Sequence, residues 1–345
     1  MQERLEKIVK PLLNWYQKNK RELPWREEKN PYHIWLSEIM LQQTRIEAVK
    51  SYYARFLEEV PTILELANIE EEKLLKLWEG LGYYNRARNL KKAAKMIVKE
   101  YEGNMPNYYE ELIKLPGIGE YTAGAIASIA FDEKIPAVDG NVLRVISRVI
   151  GNRENVLSKE VKEEITNQLI KVIPDEAGNF NESLMELGEV ICLPNGQPFC
   201  EKCPIQKFCY AYQKNLTSQI PVREKIINRK KEHRTVLLFR KEEKIAIQKR
   251  PQKGLLANMY EFPNLEGKKK KEDILEQIDK WGIKTRRIQK KGQASHIFSH
   301  IEWNMIIYEI IVEKESDCLL WVNKKELEQN YPMPTAFKKL QKWII

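Results

Sequence analysis

Four of the five cysteines in this chain of 345 residues lie in one short stretch, ICLPNGQPFCEKCPIQKFC, at residues 191–209. Small secreted domains use such clusters for disulfide bonds, but a chain of this length can bury cores for about two or three domains. Its N-terminal residues are charged rather than signal-like, and no apolar run reaches the roughly 18 residues of a membrane span. We therefore expect a cytoplasmic protein without a membrane segment, where clustered cysteines more often bind metals or act in redox chemistry than form bridges.

The spacing of the four cysteines narrows the kind of metal site. The pattern is Cys192-x7-Cys200-x2-Cys203-x5-Cys209, which contains a single Cys-x2-Cys pair. Structural zinc sites more often combine two such pairs, whereas unequal spacing in one loop is more typical of an iron–sulfur cluster. Zinc stays the alternative. Four unliganded thiols in a packed core are disfavoured, because the prolines and the glycine of this stretch predict a loop.

The charge balance points weakly to nucleic acid. Lysine and arginine outnumber aspartate and glutamate by 58 to 49, which gives a net charge of +9. A modest basic excess suits a nucleic-acid partner, but a solvated surface rich in lysine and glutamate explains it equally well. Only a phosphate-binding motif would distinguish the two.

Such a motif is present in LPGIG, at residues 115–119, between the helix-like segments 108–115 and 121–131. Gly117 and Gly119 can adopt backbone angles closed to other residues, so the hairpin amides and the start of the next helix would point outward together. Amides arranged in this way bind phosphate oxygens without reading sequence. A lone Gly-x-Gly would fit an ordinary turn, but the full motif between two helices is more specific.

Two acidic residues are candidates for chemistry. Asp139, in IPAVDGNVLRV, stands where a helix begins, and it either serves only as an N-cap or combines that role with a function as an ionised carboxylate. Glu38, in the apolar segment WLSEIMLQQT, would be desolvated and therefore protonated near neutral pH. The alternative for Glu38 is a solvent-facing helix position.

The sequence changes character after about residue 215. A polar, basic linker is predicted over 216–232, and alternating segments at 234–240, 244–250 and 303–313 predict strands. The segment KEDILEQIDKWG between them is helix-like. These features predict an α+β domain.

The motifs LPGIG and VDGNV, with ELGEVIC leading into the cysteine loop, resemble the helix-hairpin-helix DNA glycosylase superfamily that contains endonuclease III. Within it, LPWR at 23–26 and WLSEIMLQQT at 35–44 resemble the MutY adenine DNA glycosylases. The resemblance covers essentially the whole chain. One departure is the first cysteine spacing, which has seven intervening residues where the family commonly has six.

This resemblance implies a multidomain protein with an all-α helix-hairpin-helix glycosylase core and an α+β Nudix-like domain. The implied boundaries are an iron–sulfur cluster domain from 1–24 and 131–215, a six-helix domain with the hairpin at 25–130, the linker at 216–232, and the Nudix-like domain at 233–345. Because the carboxylate-rich Nudix helix that binds magnesium is not visible, we expect the last domain to recognise a lesion rather than hydrolyse a nucleotide.

The implied reaction is removal of adenine paired with 8-oxoguanine or guanine in duplex DNA, after the adenine is flipped out of the helix. Cleavage of a purine glycosidic bond needs an acid for the base and a negative charge near the cationic sugar. By resemblance, Glu38 protonates adenine and Asp139 stabilises the sugar, while Asn141 and Tyr121 position the participants. Tyr121 occupies the position of the Schiff-base lysine in the endonuclease III branch, which predicts little or no lyase activity.

The resemblance also implies binding residues, a [4Fe–4S] cluster, a monomer and a nucleoid-associated protein. Arg26 and Glu182 would line the adenine pocket, and Gln43 and Tyr83 would wedge into the duplex, although Tyr83 could be a core aromatic residue. The remaining implied contacts are, for phosphates, Leu115, Gly117, Gly119, Lys202 and Lys207; for 8-oxoguanine, Phe298, Ser299 and His300; and for the cluster, Cys192, Cys200, Cys203 and Cys209.

Three alternatives complete these expectations. His296 and His300 could share a metal if they lay on a helix, but neighbouring strands argue against one and no glutamate completes a zinc motif. An endonuclease III-like glycosylase/lyase would carry lysine in place of Tyr121. A noncatalytic DNA-binding protein would lack Glu38 or Asp139. Neither of these last two changes is seen.

Overall fold

The computed structural model describes residues 2–224 and 229–343. The chain divides into two compact units, Met1–Asn68 with Arg88–Lys225, and Ile69–Ala87 with Ile226–Ile345. The segment 69–87, which lies within the domain predicted at 25–130, groups with the C-terminal strands. The split of the helical region into two domains stays a prediction.

The helices and strands have the following bounds in chain order. The helices are α1 Gln2–Asn19, α2 Pro31–Leu41, α3 Ile46–Glu59, α4 Ile63–Asn68, α5 Glu71–Leu77, α6 Asn85–Glu100, α7 Tyr109–Leu112, α8 Glu120–Phe131, α9 Gly140–Ile150, α10 Lys159–Ile170, α11 Ala177–Val190, α12 Tyr210–Gln213, α13 Lys271–Lys280, α14 Lys324–Asn330 and α15 Thr335–Lys338. The strands are β1 Lys230–Lys241, β2 Lys244–Lys249, β3 Tyr260–Glu261, β4 Asn264–Glu266, β5 Thr285–Ile297, β6 Ile301–Val312 and β7 Leu320–Val322. Short 3-10 turns occupy Pro24–Arg26, Cys200–Lys202, Gln206–Phe208 and Gln341–Trp343.

Helices α1, α9, α10 and α11 share one hydrophobic core in the first unit. On α1, Leu5, Ile8 and Leu12 recur at helical spacing and are fully buried. On α11, the apolar face that includes Phe180 and Leu184 packs into the same core, while residues on its other side line the cleft described below. Burial of this face is what fixes the orientation of the polar residues of α11.

Helices α2 and α8 are apolar around most of their circumference, and both are buried. Small residues let α8 approach its neighbours closely. A Cβ atom on Gly124 would lie 2.6 Å from the carbonyl oxygen of Pro136, and one on Gly178 of α11 would lie 2.7 Å from that of Ser128. Helix α8 also packs against α2, which brings Glu38 on α2 and Tyr121 on α8 to one site.

The second unit contains a mixed sheet with strand order β3-β2-β1-β6-β5. Strands β1 and β6 are parallel, and the other pairs are antiparallel, with β4 beside β1 and β7 beside β2. The run Val236–Phe239 of β1 is buried without alternation, because apolar side chains cover the central strand on both faces. Helix α13 packs on one face, and α14 and α15 pack on the other.

The structure confirms the predicted α-helical region followed by an α+β region. The helix predicted at 121–131 is α8, and the helix predicted after Asp139 is α9. Strand β1 begins at Lys230, within the stretch predicted as linker, and the linker residues 225–228 lie outside the described part of the chain. Among the helices that the structure describes, none is long and apolar enough to cross a membrane.

Candidate active site

An open cleft of about 460 Å³ in the first unit brings together side chains that are far apart in the sequence. It is lined by seven of the residues singled out from the sequence. They are Arg26, Glu38, Gln43, Tyr121, Asp139, Asn141 and Glu182.

Glu38 lies on the buried side of α2 and is 8% exposed. The Tyr121 hydroxyl donates a hydrogen bond of 2.6 Å to its Oε2 atom. Burial raises the pKa of Glu38 to about 7, because the carboxylate loses its hydration and stands near the charges of Asp139 and Glu182, while Tyr121 and Arg26 act in the opposite direction. The apolar surroundings read from the sequence are present, and Glu38 is not a solvent-facing helix residue.

Asp139 is the N-cap of α9, as the sequence predicted. Its Oδ1 atom accepts hydrogen bonds from the backbone N–H groups of Asn141 and Val142 at 2.8 and 2.7 Å, and its Oδ2 atom accepts one from the Asn141 side chain at 2.9 Å. Burial nevertheless raises the pKa of Asp139 above its ordinary value. The sequence led us to expect only the charge-stabilising effect of the helix end, but desolvation of the carboxyl in the cleft exceeds that effect on its pKa.

The loop before Asp139 is held by a buried amide. The Asn181 side chain accepts a hydrogen bond from the Ala137 N–H group at 3.1 Å. It also donates to the Ile135 carbonyl at 2.9 Å and to the Ser128 hydroxyl at 2.8 Å. Helices α8 and α11 therefore fix the backbone that carries Asp139.

The sequence analysis missed four charged residues that line the cleft, namely Arg21, Arg45, Glu186 and Glu189. Glu186 accepts hydrogen bonds from Arg21 and from Arg26, and the Arg26 Nε atom also donates to Glu182 at 2.9 Å. These ion pairs lower the pKa of Glu186 in spite of its burial. Glu182 and Glu186 stand four residues apart in FNESLMELGEV, which is the only sequence signal that one helix face carries both carboxylates.

The four clustered cysteines line a second cavity in this unit, together with apolar residues of α9, α11 and the cysteine loop. The Arg148 Nη1 atom donates to the Cys192 sulfur at 3.2 Å and to the Leu193 carbonyl at 3.0 Å. Burial raises the pKa of Cys203 to about 12. In the part of the chain that the structure describes, no three His, Cys, Asp or Glu side chains stand together as ligands of one single metal ion, and the four cysteines surround their cavity at a wider spacing.

Arg144 of α9 is hydrogen-bonded both to a residue of the cleft and to the cysteine loop. Its Nε atom donates to the Cys192 carbonyl at 2.8 Å, and its Nη2 atom donates to the Asn141 side chain at 2.9 Å. The side chain is buried, so the cysteine loop and the Asn141 side chain are held by one rigid group.

The two glycines of the LPGIG hairpin have different backbone conformations. Gly117 has a φ of +82°, and a Cβ atom there would lie 2.6 Å from the Asn89 Cβ atom. Gly119 instead has an ordinary φ of −99° and open space around it, so the expectation of a special backbone angle was wrong at this position. Leu115 is buried, its N–H group donates to the Leu112 carbonyl, and its carbonyl accepts from the Ile118 N–H group. No side chain caps the N terminus of α8.

The second unit brings together two residues that the sequence singled out separately. The Tyr83 hydroxyl and the Ser299 hydroxyl are hydrogen-bonded at 3.1 Å, and Tyr83 is 48% exposed with a φ of +48°. Tyr83 is therefore not a core aromatic residue. The Arg86 guanidinium group stacks over its ring at 5.6 Å.

Ser299 belongs to the turn between β5 and β6. The neighbouring Phe298 packs edge-on against His296 at 4.6 Å and against the buried Trp303 at 4.9 Å. The His300 carbonyl accepts a hydrogen bond from the Lys230 N–H group at 3.0 Å. Because His296 lies on a strand and His300 in a turn, the helical spacing needed for a shared metal is absent at this pair.

Comparisons with known proteins agree with this arrangement. The model of the HhH-GPD superfamily of base excision DNA repair proteins matches residues 36–171, and the NUDIX domain model matches residues 234–343. The adenine DNA glycosylase of Rattus norvegicus is 33% identical over 396 residues, covering 95% of this chain and 76% of the relative. The adenine DNA glycosylase of Buchnera aphidicola subsp. Baizongia pistaciae is 34% identical, covering 95% of this chain and 94% of the relative.

This chain belongs to the adenine DNA glycosylase family. It is thus a base excision repair enzyme that cleaves an N-glycosyl bond in DNA. Two solved structures resemble its helical unit: a thermostable thymine-DNA glycosylase (29% identical, TM-score 0.56, covering 61% of this chain and 98% of that one) and endonuclease III in a trapped covalent complex with DNA (26%, 0.53, 63% and 99%).

Proposed function

We propose that this adenine DNA glycosylase removes adenine paired with 8-oxoguanine or guanine, with Glu38 as the acid that protonates the leaving base. The observation that supports this role most directly is the hydrogen bond from Tyr121 to Glu38 Oε2 inside the cleft. Because Oε2 already accepts this hydrogen bond, we place the acidic proton of Glu38 on Oε1. A pKa of about 7 keeps a large fraction of the residue protonated near neutral pH.

Asp139 is proposed to face the sugar. As the glycosidic bond breaks, positive charge develops on the sugar, and a fixed carboxylate stabilises that charge without reorganisation. Its three hydrogen bonds from the start of α9 favour the ionised form against burial. Asn141 holds Oδ2 in place and is itself held by Arg144. Opposite protonation states are thus proposed for two carboxyls in one cleft.

The adenine pocket is proposed to include Arg26 and Glu182, which line the cleft beside Glu38. Gln43, at a φ of +58°, also lines it, and we assign to it the wedge role at the site of the extruded base. In the second unit, Tyr83 is proposed to enter the duplex beside 8-oxoguanine while its hydroxyl orients that of Ser299 toward the altered edge of the base. Phe298 packs against Trp303 and so fixes the turn that carries Ser299. His300, the next residue of this turn, is held by the hydrogen bond from the Lys230 N–H group to its carbonyl.

We infer that the enzyme is a glycosylase without appreciable lyase activity. The cleft presents the phenol of Tyr121 where a lyase would need an amine, and a phenol cannot form an imine with the sugar aldehyde. Strand breaks should therefore appear only after alkali treatment of the abasic product.

Cys192, Cys200, Cys203 and Cys209 are proposed to hold a [4Fe–4S] cluster. Four sulfur donors around one largely apolar cavity suit such a group, and Arg148 supplies a hydrogen-bond donor to one sulfur. The extra residue after Cys192 lies in a loop, where one more residue changes the closure entropy little. The cluster would supply structural order to the loop that contains Lys202 and Lys207, for which we propose phosphate contacts. A cytoplasmic monomer stays our prediction.

The test is single-turnover release of free adenine from a duplex with one adenine opposite 8-oxoguanine. Wild type should release adenine, with strand breaks only after alkali, and Glu38→Gln should lose more than a hundredfold in rate, as removal of a general acid predicts. Glu164→Gln, which changes an exposed glutamate on α10 that does not line the cleft, is the matched control for loss of a carboxylate. Release at the wild-type rate by Glu38→Gln would refute the acid assignment, and breaks without alkali would refute the monofunctional one.

A further inference from the structure

Glu186 is a buried carboxylate of the cleft that the reaction described above does not use. It lies on α11 and is 1% exposed. Its Oε1 atom accepts hydrogen bonds from the Arg21 Nε atom at 2.5 Å and from the Arg21 backbone N–H group at 3.3 Å. Its Oε2 atom accepts from Arg21 Nη2 at 3.1 Å and from Arg26 Nη1 at 2.9 Å. One carboxylate therefore serves two guanidinium groups.

Arg26 continues this series of charges toward the open cleft. Its Nε atom donates to Glu182 Oε1 at 2.9 Å, and its guanidinium group lies over the Tyr16 ring at 5.7 Å. Arg21, Glu186, Arg26 and Glu182 thus alternate in sign and sum to zero charge. Loss of one member would leave an unpaired charge in a poorly hydrated site, where its effect on neighbours is large.

We propose that Glu186 is a positioning residue of this glycosylase, which holds Arg21 and Arg26 in place and keeps the charge beside Glu38 balanced. This inference rests on the proposed role of Glu38 as the acid. Arg26 favours the ionised form of Glu38, and Glu182 favours the protonated form. If Glu186 were neutral, the two arginines would be in excess and Glu38 would lose its proton at lower pH.

The charged and titratable groups that share the cleft with Glu38, together with Tyr16 beside Arg26 and Glu182, come from several elements of the first unit. They are Tyr16 on α1, Arg21 and Arg26 in the segment before α2, Arg45 before α3, Tyr121 on α8, Asp139 before α9, and Glu182, Glu186 and Glu189 on α11. A change in net charge should move the titrations of both Glu38 and Asp139 in the same direction. The alkaline limb of activity reports Glu38, because the reaction needs its protonated form.

The experiment measures single-turnover adenine release against pH for the full-length protein on the duplex with adenine opposite 8-oxoguanine. In Glu186→Gln we expect the midpoint of the alkaline limb to move to lower pH, by roughly half a unit or more for the loss of one negative charge from the cleft. In Arg21→Met the net charge changes with the opposite sign, so the midpoint should move to higher pH. The double variant is neutral again and should return to the wild-type midpoint.

Each midpoint comes from a normalised profile, so a lower maximal rate does not affect it. If Glu186 had only a structural role, Glu186→Gln would have a lower thermal midpoint and a lower rate, but the midpoint of its alkaline limb would not move. That result in a folded Glu186→Gln protein overturns the proposal. If Glu186→Gln does not fold, Arg21→Met decides alone, because the Arg21 side chain is 34% exposed and tolerates replacement better. In that case the proposal is overturned if the alkaline midpoint of Arg21→Met moves to lower pH or does not move.

Failure of the underlying function has a different outcome. If wild type releases no adenine from this duplex, or if Glu38→Gln keeps the wild-type alkaline limb, the acid role fails and the inference fails with it. If both tests support Glu38 as the acid, but the alkaline midpoint is unchanged in Glu186→Gln and in Arg21→Met, only the positioning role of Glu186 is wrong.

Discussion

Replacement of Glu38 by glutamine should stabilise this protein at high pH while it removes activity. The folded structure raises the pKa of Glu38 from an ordinary 4.5 to about 7. A carboxyl with a raised pKa contributes stability that is fully present below about pH 4.5 and is lost as the pH rises through about 7. Each pKa unit corresponds to about 1.4 kcal/mol, so the interval amounts to about 3 kcal/mol. Glutamine keeps the acceptor for Tyr121 but cannot ionise.

The assay is urea unfolding of wild type and Glu38→Gln at about pH 4 and about pH 8, outside the interval set by the two pKa values. The variant should equal wild type at the lower pH and exceed it by about 3 kcal/mol at the higher pH. Glu189→Gln, with an exposed carboxyl, should show no such pH-dependent gain. An equal difference between Glu38→Gln and wild type at both pH values would refute the reasoning, since it would mean that burial does not penalise the charge of Glu38.

Three further predictions test other parts of the molecule. Tyr121→Phe removes the donor that favours ionised Glu38, so the alkaline limb of adenine release should move to higher pH as the maximal rate falls; a downward move would contradict this. Gly117→Ala should destabilise the fold by roughly 1–3 kcal/mol in thermal unfolding, because only Gly117 has a positive φ and a crowded Cβ position. Gly119→Ala should leave the stability unchanged and weaken DNA binding, measured by fluorescence anisotropy. Equal stabilities of the two variants would contradict the different roles given to these glycines. Tyr83→Phe should keep adenine release but reduce the preference for 8-oxoguanine over guanine by roughly two- to tenfold in competition assays, and an unchanged preference would separate Tyr83 from Ser299.

The elements that bear the site were predictable where one local signal sufficed. Asp139 before NVLRVISRV is a recognisable N-cap, and the small apolar run at 121–131 is a recognisable buried helix. The pKa of Glu38 followed from its apolar neighbours. Gly119 shows the limit of this approach, because a glycine next to a turn does not reveal its backbone angle, which here depends on where α8 begins.

Long-range pairs were not accessible from the sequence. Arg21 and Glu186 are 165 positions apart, and although Glu186 opens the motif ELGEVIC, nothing in the sequence pairs it with Arg21. The hydrogen bond between Tyr83 and Ser299 spans 216 positions, and the grouping of residues 69–87 with the C-terminal strands depends on packing that no local pattern encodes. Family resemblance supplied the roles of some of these residues but not their partners.

Two carboxyl groups of the cleft, Glu38 and Glu186, have pKa shifts of opposite direction, and the short segment from Arg21 to Arg26 accounts for the difference. Glu186 is paired with both arginines, and its pKa is lowered, so it stays ionised. Glu38 lies in the same cleft without an ion pair to either arginine among the residues described, and its pKa is raised. A neutral acid and fixed anions can therefore coexist in one cavity because Arg21 and Arg26 are paired with Glu186 and Glu182. A further cation in the cleft, for example from Met185→Lys, would favour the ionised form of Glu38. The midpoint of the alkaline limb of adenine release should then move to lower pH by at least as much as in Glu186→Gln.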